Sequence, residues 1–136
     1  MNKNMKNIFK ILIIVLLSLC QKGYSQQLVQ NINDMYRIKD NEVIFINKPL
    51  KDLLREIKPE IKVVFAYNNP SFFEFRFITR EQRINNEGNK LSLFVDVKDF
   101  IDWKWENRPK GKETFWSNED VEKYGSLIVS QIEIVY

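Results

Sequence analysis

The sequence predicts a single α+β domain, with an antiparallel-dominated sheet of about four or five strands and two helices packed on one face. Two observations predict this fold. First, runs with apolar side chains at alternate positions lie in the middle of the chain and at its C-terminal end. Second, two segments with helix start signals lie outside the central runs. Alternation with one polar face indicates antiparallel strands that are buried on one side only.

The alternating runs give the expected strands. They cover residues 61–67, 73–78, 91–98 and 128–136, and the β-branched and aromatic run Val43 to Ile46 is a further short strand. The turn-forming cluster at 68–71 separates the first two long runs. In the last run, Ile128, Ile132, Ile134 and Tyr136 are expected on one face because they are separated by even numbers of residues.

Two segments carry helix signals. In the first, Asn47 is the expected N-cap and Pro49 falls in the first turn, with an apolar stripe from Leu50 to Ile57 that ends before Pro59. In the second, Ser117 is the expected N-cap, with Asp120 three residues on as an imperfect capping box, and Gly125 suits a left-handed residue after the helix end. The spacing of apolar residues over 28–36 is also typical of a short amphipathic helix.

Residues 1–25 have the pattern of a cleavable signal peptide. Three lysines and no acid precede an apolar stretch of about ten residues, and small residues Gly23 and Ser25 flank Tyr24. A membrane-spanning helix needs about 20 apolar residues, so we expect cleavage between Ser25 and Gln26 and export to the periplasm or the medium. The alternative is lipidation of Cys20, although Leu19 stands where lipoprotein signals have a small residue. Only that alternative attaches the protein to a membrane.

The composition of residues 26–136 excludes several classes of function. Without the four lysines of the leader, 17 basic residues face 18 acidic ones, so no electrostatic footprint for nucleic acid remains. The segment has no histidine and no cysteine, which excludes Ser-His-Asp and Cys-His catalysis and thiolate or imidazole metal sites. Its three glycines are scattered, so no phosphate loop is present and no cofactor is expected. Heavy use of Lys, Asn and Ile suggests an AT-rich bacterial genome.

Carboxylates are the remaining candidates for catalysis. Asp96, Asp99 and Asp102 lie close together in sequence, which is the pattern of either a calcium site or a solvated strand end interleaved with lysines. The stretch lacks the glycine that bends a calcium loop, so the sequence favours the solvated strand end and no metal site. A small hydrolase that uses Asp96, Asp99 and Glu74 is the catalytic alternative.

Tryptophans are the candidates for binding. Trp103 and Trp105 are expected on one side of an extended segment, with Trp116 not far along the chain. Exposed indoles form a platform for a sugar ring or for the apolar surface of a protein partner; the alternative is that they continue the buried face of the sheet. The sequence therefore predicts a non-catalytic exported protein that acts by binding a protein or glycan. The basic turn 108–112 is expected to be an exposed loop.

One segment resembles a known family. Val43 to Leu50, continuing through Leu54 and Ile57, is similar to the opening β-α-β unit of the short N-terminal signalling domains of outer-membrane secretins and TonB-dependent receptors. The resemblance covers about a quarter of the chain and implies a strand, a helix and a second strand there. Because any β-α-β unit produces this pattern, no membership in the family follows from it.

Overall fold

A computed structural model describes residues 2–20 and 26–136. Its five α-helices are α1 (Lys3–Cys20), α2 (Tyr36–Asp40), α3 (Leu50–Arg55), α4 (Arg80–Ile84) and α5 (Asn118–Tyr124). Its four strands are β1 (Val63–Tyr67), β2 (Phe72–Arg76), β3 (Ser92–Val97) and β4 (Val129–Val135), with 3-10 turns at Ile32–Asp34, Glu42–Ile44 and Trp105–Asn107. The described residues therefore form a small α+β domain, as the sequence predicts.

The strands form one antiparallel sheet in the order β1-β2-β3-β4. The register gives the sheet two different faces. One face, which we call the covered face, carries the fully buried residues of every strand: Val64, Phe73, Phe75, Leu93, Val95, Val129 and Ile132. The other, which we call the open face, carries Phe65, Tyr67, Phe72, Glu74, Arg76, Phe94, Asp96 and Glu133. One-sided burial is what the alternation predicts.

Three helices supply side chains to the core on the covered face. Ile38 of α2 and Leu50 and Leu53 of α3 are fully buried, and the ring of Tyr124 of α5 lies 5.7 Å from that of Phe73. The backbone joins α3 to the residue after α5, because Lys51 N donates to Gly125 O at 2.8 Å. α4 contributes no buried residue. This arrangement leaves the rings of the open face to the solvent side of the sheet.

The segment before α3 differs from the prediction. Val43 to Ile46 is not a strand but part of a 3-10 turn and the turn that follows it, with Val43 80% exposed. Asn47 has a φ of 63° and does not cap α3; the N-cap is Pro49, without a side-chain hydrogen bond. The β-propensity of Val43 to Ile46 is overridden by tertiary context. The segment turns, and the residue after it, Asn47, donates its backbone N–H to Val129 O at the edge of the sheet. The β-α-β unit of the resembled signalling domains is therefore not formed.

A bulge changes the expected face of β4. Asp96 pairs with Gln131 and Val97 pairs with Val129, so Ser130 is an extra residue on β4. Val129 and Ile132 are both fully buried as a result, although they differ in parity. Strict alternation wrongly predicted Ile128 on the core face, since a bulge shifts every residue beyond it by one position.

The helix start at Ser117 is confirmed, and the helix end is not as expected. Ser117 and Asp120 form the complete capping box of α5. Gly125 has a φ of −62° and is not left-handed. The glycine is needed for space, because an added Cβ would overlap the carbonyl oxygen of Val121 and lie 3.1 Å from Cβ of Lys51.

Residues 3–20 form the longest helix of the described residues. α1 is solvent-exposed from Met5 to Leu16, each apolar side chain there being 47–65% exposed. Within residues 2–20 and 26–136, no helix is both long enough and apolar enough to cross a membrane. Residues 21–25, and with them the expected cleavage position after Ser25, lie outside the described residues.

Candidate binding site

The structure separates the three tryptophans that the sequence grouped. Trp103 and Trp116 lie on the covered side of the sheet, where both rings contact Phe73 and Tyr124 at centroid distances of 5.4–6.3 Å. Trp116 also meets Phe75 edge-on at 5.3 Å. Edge-to-face packing of this kind stabilises a core beyond the area it buries. These two indoles are therefore packing residues, at most partly accessible.

Arg108 holds the loop that carries these tryptophans. Its guanidinium lies 3.7 Å from the centre of the Trp103 ring and donates to both carboxylate oxygens of Asp120, at 2.5 and 3.1 Å. It also donates to the carbonyl oxygens of Glu113 and Phe115, at 3.0 and 2.5 Å. Only 11% of the Arg108 side chain and 7% of that of Asp120 are exposed. The first residue of the basic turn is thus a buried clamp rather than part of an exposed loop.

The acidic partner of the clamp is also a member of the capping box of α5. Asp120 accepts hydrogen bonds from the backbone N–H and the hydroxyl of Ser117, at 2.9 and 3.0 Å. Burial acts to raise the pKa of Asp120, but the hydrogen bonds from Arg108 and Ser117 and the charge of Arg108 outweigh it, so that the pKa lies below its ordinary value. Asp120 is therefore ionised at neutral pH and is occupied structurally.

Trp105 lies on the other side of the sheet. The loop crosses the free edge of β1, where Thr114 O accepts from Val64 N at 2.8 Å. Trp105 begins a 3-10 turn and its side chain is 52% exposed. An extended segment would place residues 103 and 105 on one side; the turn at Trp105 and the crossing of the edge send the two indoles to opposite faces.

Trp105 borders a cavity of about 520 Å³, which we call the Trp105 pocket. The side chains most relevant to binding are the following: Phe65, Arg76, Arg80, Arg83, Trp105 and Glu113. Phe65 and Arg76 come from the open face, Arg80 and Arg83 from α4, and the rest from the loop. A volume of this size is in the range of small-molecule sites.

The arginines of the Trp105 pocket retain unused hydrogen-bond donors. Arg76 donates through Nε to Glu74 at 2.7 Å, and Arg83 donates through one terminal nitrogen to Lys90 O at 2.8 Å. Among the described residues, the remaining nitrogens of these two side chains and all those of Arg80 make no hydrogen bond. A guanidinium carries five N–H donors, so the pocket presents several donors to whatever enters it.

An aromatic row extends from the pocket across the open face. Phe65, Tyr67, Phe72 and Phe94 form the aromatic row, with successive ring centroids 6.5, 4.8 and 5.9 Å apart. The guanidinium of Arg76 lies 5.0 Å from the centre of Phe65, which joins the row to the pocket. Tyr67 is 44% exposed and the other three rings are half-buried. The site thus combines ring faces with guanidinium groups.

The carboxylate candidates do not form a pair. Glu74 is buried on the open face and accepts from Arg76 and from the hydroxyl of Ser92 at 3.0 Å. Asp99 and Asp102 lie exposed after β3, and Asp102 is 3.9–4.0 Å from Lys104 and Lys123. Burial and the neighbouring Glu133 carboxylate raise the pKa of Asp96. Within residues 2–20 and 26–136, no group of three acidic side chains is arranged to hold a metal ion.

Sequence reasoning missed most of the pocket. Of its binding side chains it named only Trp105; Arg76 lay within the expected strand 73–78, and Arg80 and Arg83 lie in α4, a helix that the sequence did not predict. The capping box of Thr79 and Gln82 that starts α4 was a readable signal. A comparison with protein-family models, curated proteins and solved structures gives no match for this chain.

Proposed function

We propose that this chain is an exported, non-catalytic binding protein that takes its ligand at the Trp105 pocket. The observation that carries the proposal is the contrast between the tryptophans: Trp103 and Trp116 are partly buried and packed against the core, whereas Trp105 is half exposed beside a cavity of about 520 Å³. An exposed indole costs hydrophobic free energy in the free protein. Its position beside guanidinium groups with unused donors supports a role in binding.

A binding screen with matched variants tests this function. Purified protein is offered to arrays of soluble glycans and peptides, and each ligand found is tested against Trp105→Ala. Phe115→Ala is the control, because Phe115 is 51% exposed on a different cavity. We expect Trp105→Ala to weaken binding at least tenfold and the control to leave it unchanged. Ligands that bind Trp105→Ala as they bind the parent would refute the pocket as the site.

Export is part of the proposal and has its own test. The basic and apolar parts of the leader support it, as does the absence of core contacts from α1 among the described residues. The protein recovered from fractionated producing cells is expected to begin at Gln26. An N-terminal diacylglyceryl-cysteine at position 20 would favour the lipoprotein alternative instead. Intact protein retained in the cytoplasm would refute export.

A carboxylate-dependent hydrolase is the second candidate, and one observation favours it. Asp96 has a raised pKa beside Glu133 and shares the open face with the aromatic row. A raised pKa is what a general acid needs. If the protein hydrolyses any glycoside or ester, Asp96→Asn abolishes the activity and the control Asp99→Asn, in the exposed loop, does not. Activity that persists in Asp96→Asn would refute this candidate.

A further inference from the structure

We infer that the Trp105 pocket is selective for an acidic sugar, a pyranose ring that carries a carboxylate or sulfate group. This inference rests on the proposed function and names the ligand class for the same site. It combines two features that meet in one cavity, guanidinium groups with unused donors and an exposed indole.

The guanidinium groups supply the recognition of the oxyanion. Arg76 is held in place by Glu74 through Nε alone, which fixes the plane of the group and leaves both terminal nitrogens without a partner among the described residues. Two parallel N–H groups match the spacing of two oxygens of a carboxylate or sulfate. Arg80 lines the same cavity, with its side chain exposed and likewise without a hydrogen bond there.

The charge balance of the cavity favours an anion. Three arginines and one carboxylate, Glu113, line it, and Glu74 lies behind Arg76. One positive charge in excess therefore remains after both carboxylates are counted, although residues 26–136 as a whole carry a net charge of −1. An anion bound here removes the repulsion among the arginines, whereas a cation or a neutral ligand does not.

The ring of the sugar is recognised by the remaining lining. Trp105 and Phe65 offer aromatic faces for the C–H groups of a pyranose. Glu113 offers an acceptor for the sugar hydroxyls, because the N–H of Gly111 donates to it at 3.0 Å and lowers its pKa, which keeps it ionised. Thr114 is a further polar residue of the lining. An acceptor beside the arginines suits a polyhydroxylated anion better than a bare phosphate or sulfate ion.

Calorimetry with matched oligosaccharides tests the inference. The probes are an oligogalacturonate, a chondroitin sulfate oligosaccharide, a neutral β-glucan oligosaccharide of the same length and sodium sulfate. We expect the acidic oligosaccharides to bind at least tenfold more tightly than the neutral one and than sulfate. The first two probes distinguish a carboxylate from a sulfate as the preferred anion.

Variants identify the groups responsible. Arg80→Gln is expected to reduce the preference for acidic over neutral sugar about tenfold, and Trp105→Ala is expected to weaken all sugars. Arg55→Gln is the charge-matched control, because its side chain is 71% exposed and lies outside the pocket. Arg80 and Trp105 are exposed, so neither change should alter the thermal unfolding midpoint.

The outcomes separate this inference from the proposed function. Equal binding of acidic and neutral sugars that depends on Trp105 but not on Arg80 overturns the inference and leaves the binding function. Binding of a peptide or nucleotide through Trp105, with no sugar bound, also overturns only the inference. If no ligand of any class depends on Trp105, both fail.

Discussion

Two arginine–carboxylate pairs, one on each side of the sheet, have similar parts and opposite surroundings. Arg108 pairs with Asp120 and lies over Trp103, whereas Arg76 pairs with Glu74 and lies over Phe65. Arg108 uses all three of its nitrogens and is 11% exposed. Among the described residues Arg76 uses only Nε, and its side chain is 25% exposed. Both arginines border a cavity, Arg76 the Trp105 pocket and Arg108 a separate one of about 470 Å³, so the two pairs differ in exposure and in the number of hydrogen bonds.

An arginine that is paired with a carboxylate over an aromatic ring can therefore stabilise the fold in one place and be available for binding in another. Arg108 makes four hydrogen bonds with its five N–H donors, so it has little left to offer a ligand, and its removal would leave buried acceptors without a donor. The Arg76 guanidinium is oriented by one hydrogen bond to Glu74, and its remaining N–H donors have no partner among the described residues. The Arg108 pair is therefore expected to dominate stability, and the Arg76 pair to dominate binding.

The largest expected effect is the loss of the Arg108 clamp. Arg108→Gln leaves the buried Asp120 carboxylate without its counter-ion and two carbonyl groups without their donor, which should cost about 3–5 kcal/mol of unfolding free energy. Urea denaturation at neutral pH measures it. Arg55→Gln, which breaks only an exposed pair of 3.8 Å, is the control. A loss below about 1 kcal/mol would mean that the clamp is no more than a surface ion pair.

A smaller loss of stability is expected on the open face. Arg76→Gln should cost about 1–2 kcal/mol of unfolding free energy. The cost is limited because Ser92 still donates to Glu74 and because the Arg76 side chain, at 25% exposure, is already in contact with water. The same denaturation experiment measures it. The double variant Arg76→Gln, Glu74→Gln should recover part of the loss, since no buried charge then lacks a partner. The reverse order, with Arg76→Gln costing more than Arg108→Gln, would contradict the assignment of structure to one pair and binding to the other.

Elements that depend on local sequence patterns were predictable from the sequence, whereas the Arg108–Asp120 pair and the Trp105 pocket were not. The strands β1 to β4, the apolar stripe of α3 and the Ser117 cap follow from local periodicity and capping, and all three are present. The Arg108–Asp120 pair joins an irregular loop to α5, twelve positions further on, and no period relates the two residues. The Trp105 pocket brings together β1, β2, α4 and that loop. Such a site depends on how the loop crosses the β1 edge, which is a tertiary property.

Acidification should weaken the Arg108–Asp120 pair on the covered side. The pKa of Asp120 is lower in the folded state than in the unfolded chain, so its contribution to stability is present above the ordinary aspartate pKa of about 3.9 and is lost as the pH falls through the folded value. The effect should be smaller than that of Arg108→Gln, because a protonated carboxyl still accepts hydrogen bonds. Urea titrations from neutral to acid pH measure it. In Asp120→Asn this part of the acid dependence should disappear; an unchanged acid profile would contradict it.

The smallest effect is expected at Asp96, with the opposite sign. Its pKa is raised in the folded state, so its contribution favours folding below the ordinary aspartate pKa and is lost as the pH rises through the folded value. Asp96→Asn removes both the partial burial of a charge and the repulsion from Glu133, and should stabilise the protein at neutral pH by no more than about 0.5 kcal/mol because solvent screens the pair. Glu133→Gln removes only the repulsion and should give a smaller gain, and the two gains should not add fully because they share that repulsion. Destabilisation by Asp96→Asn at neutral pH would contradict this prediction, because it would show that the Asp96 carboxylate accepts a stabilising hydrogen bond on the open face. Both faces would then contain a carboxylate that contributes to stability.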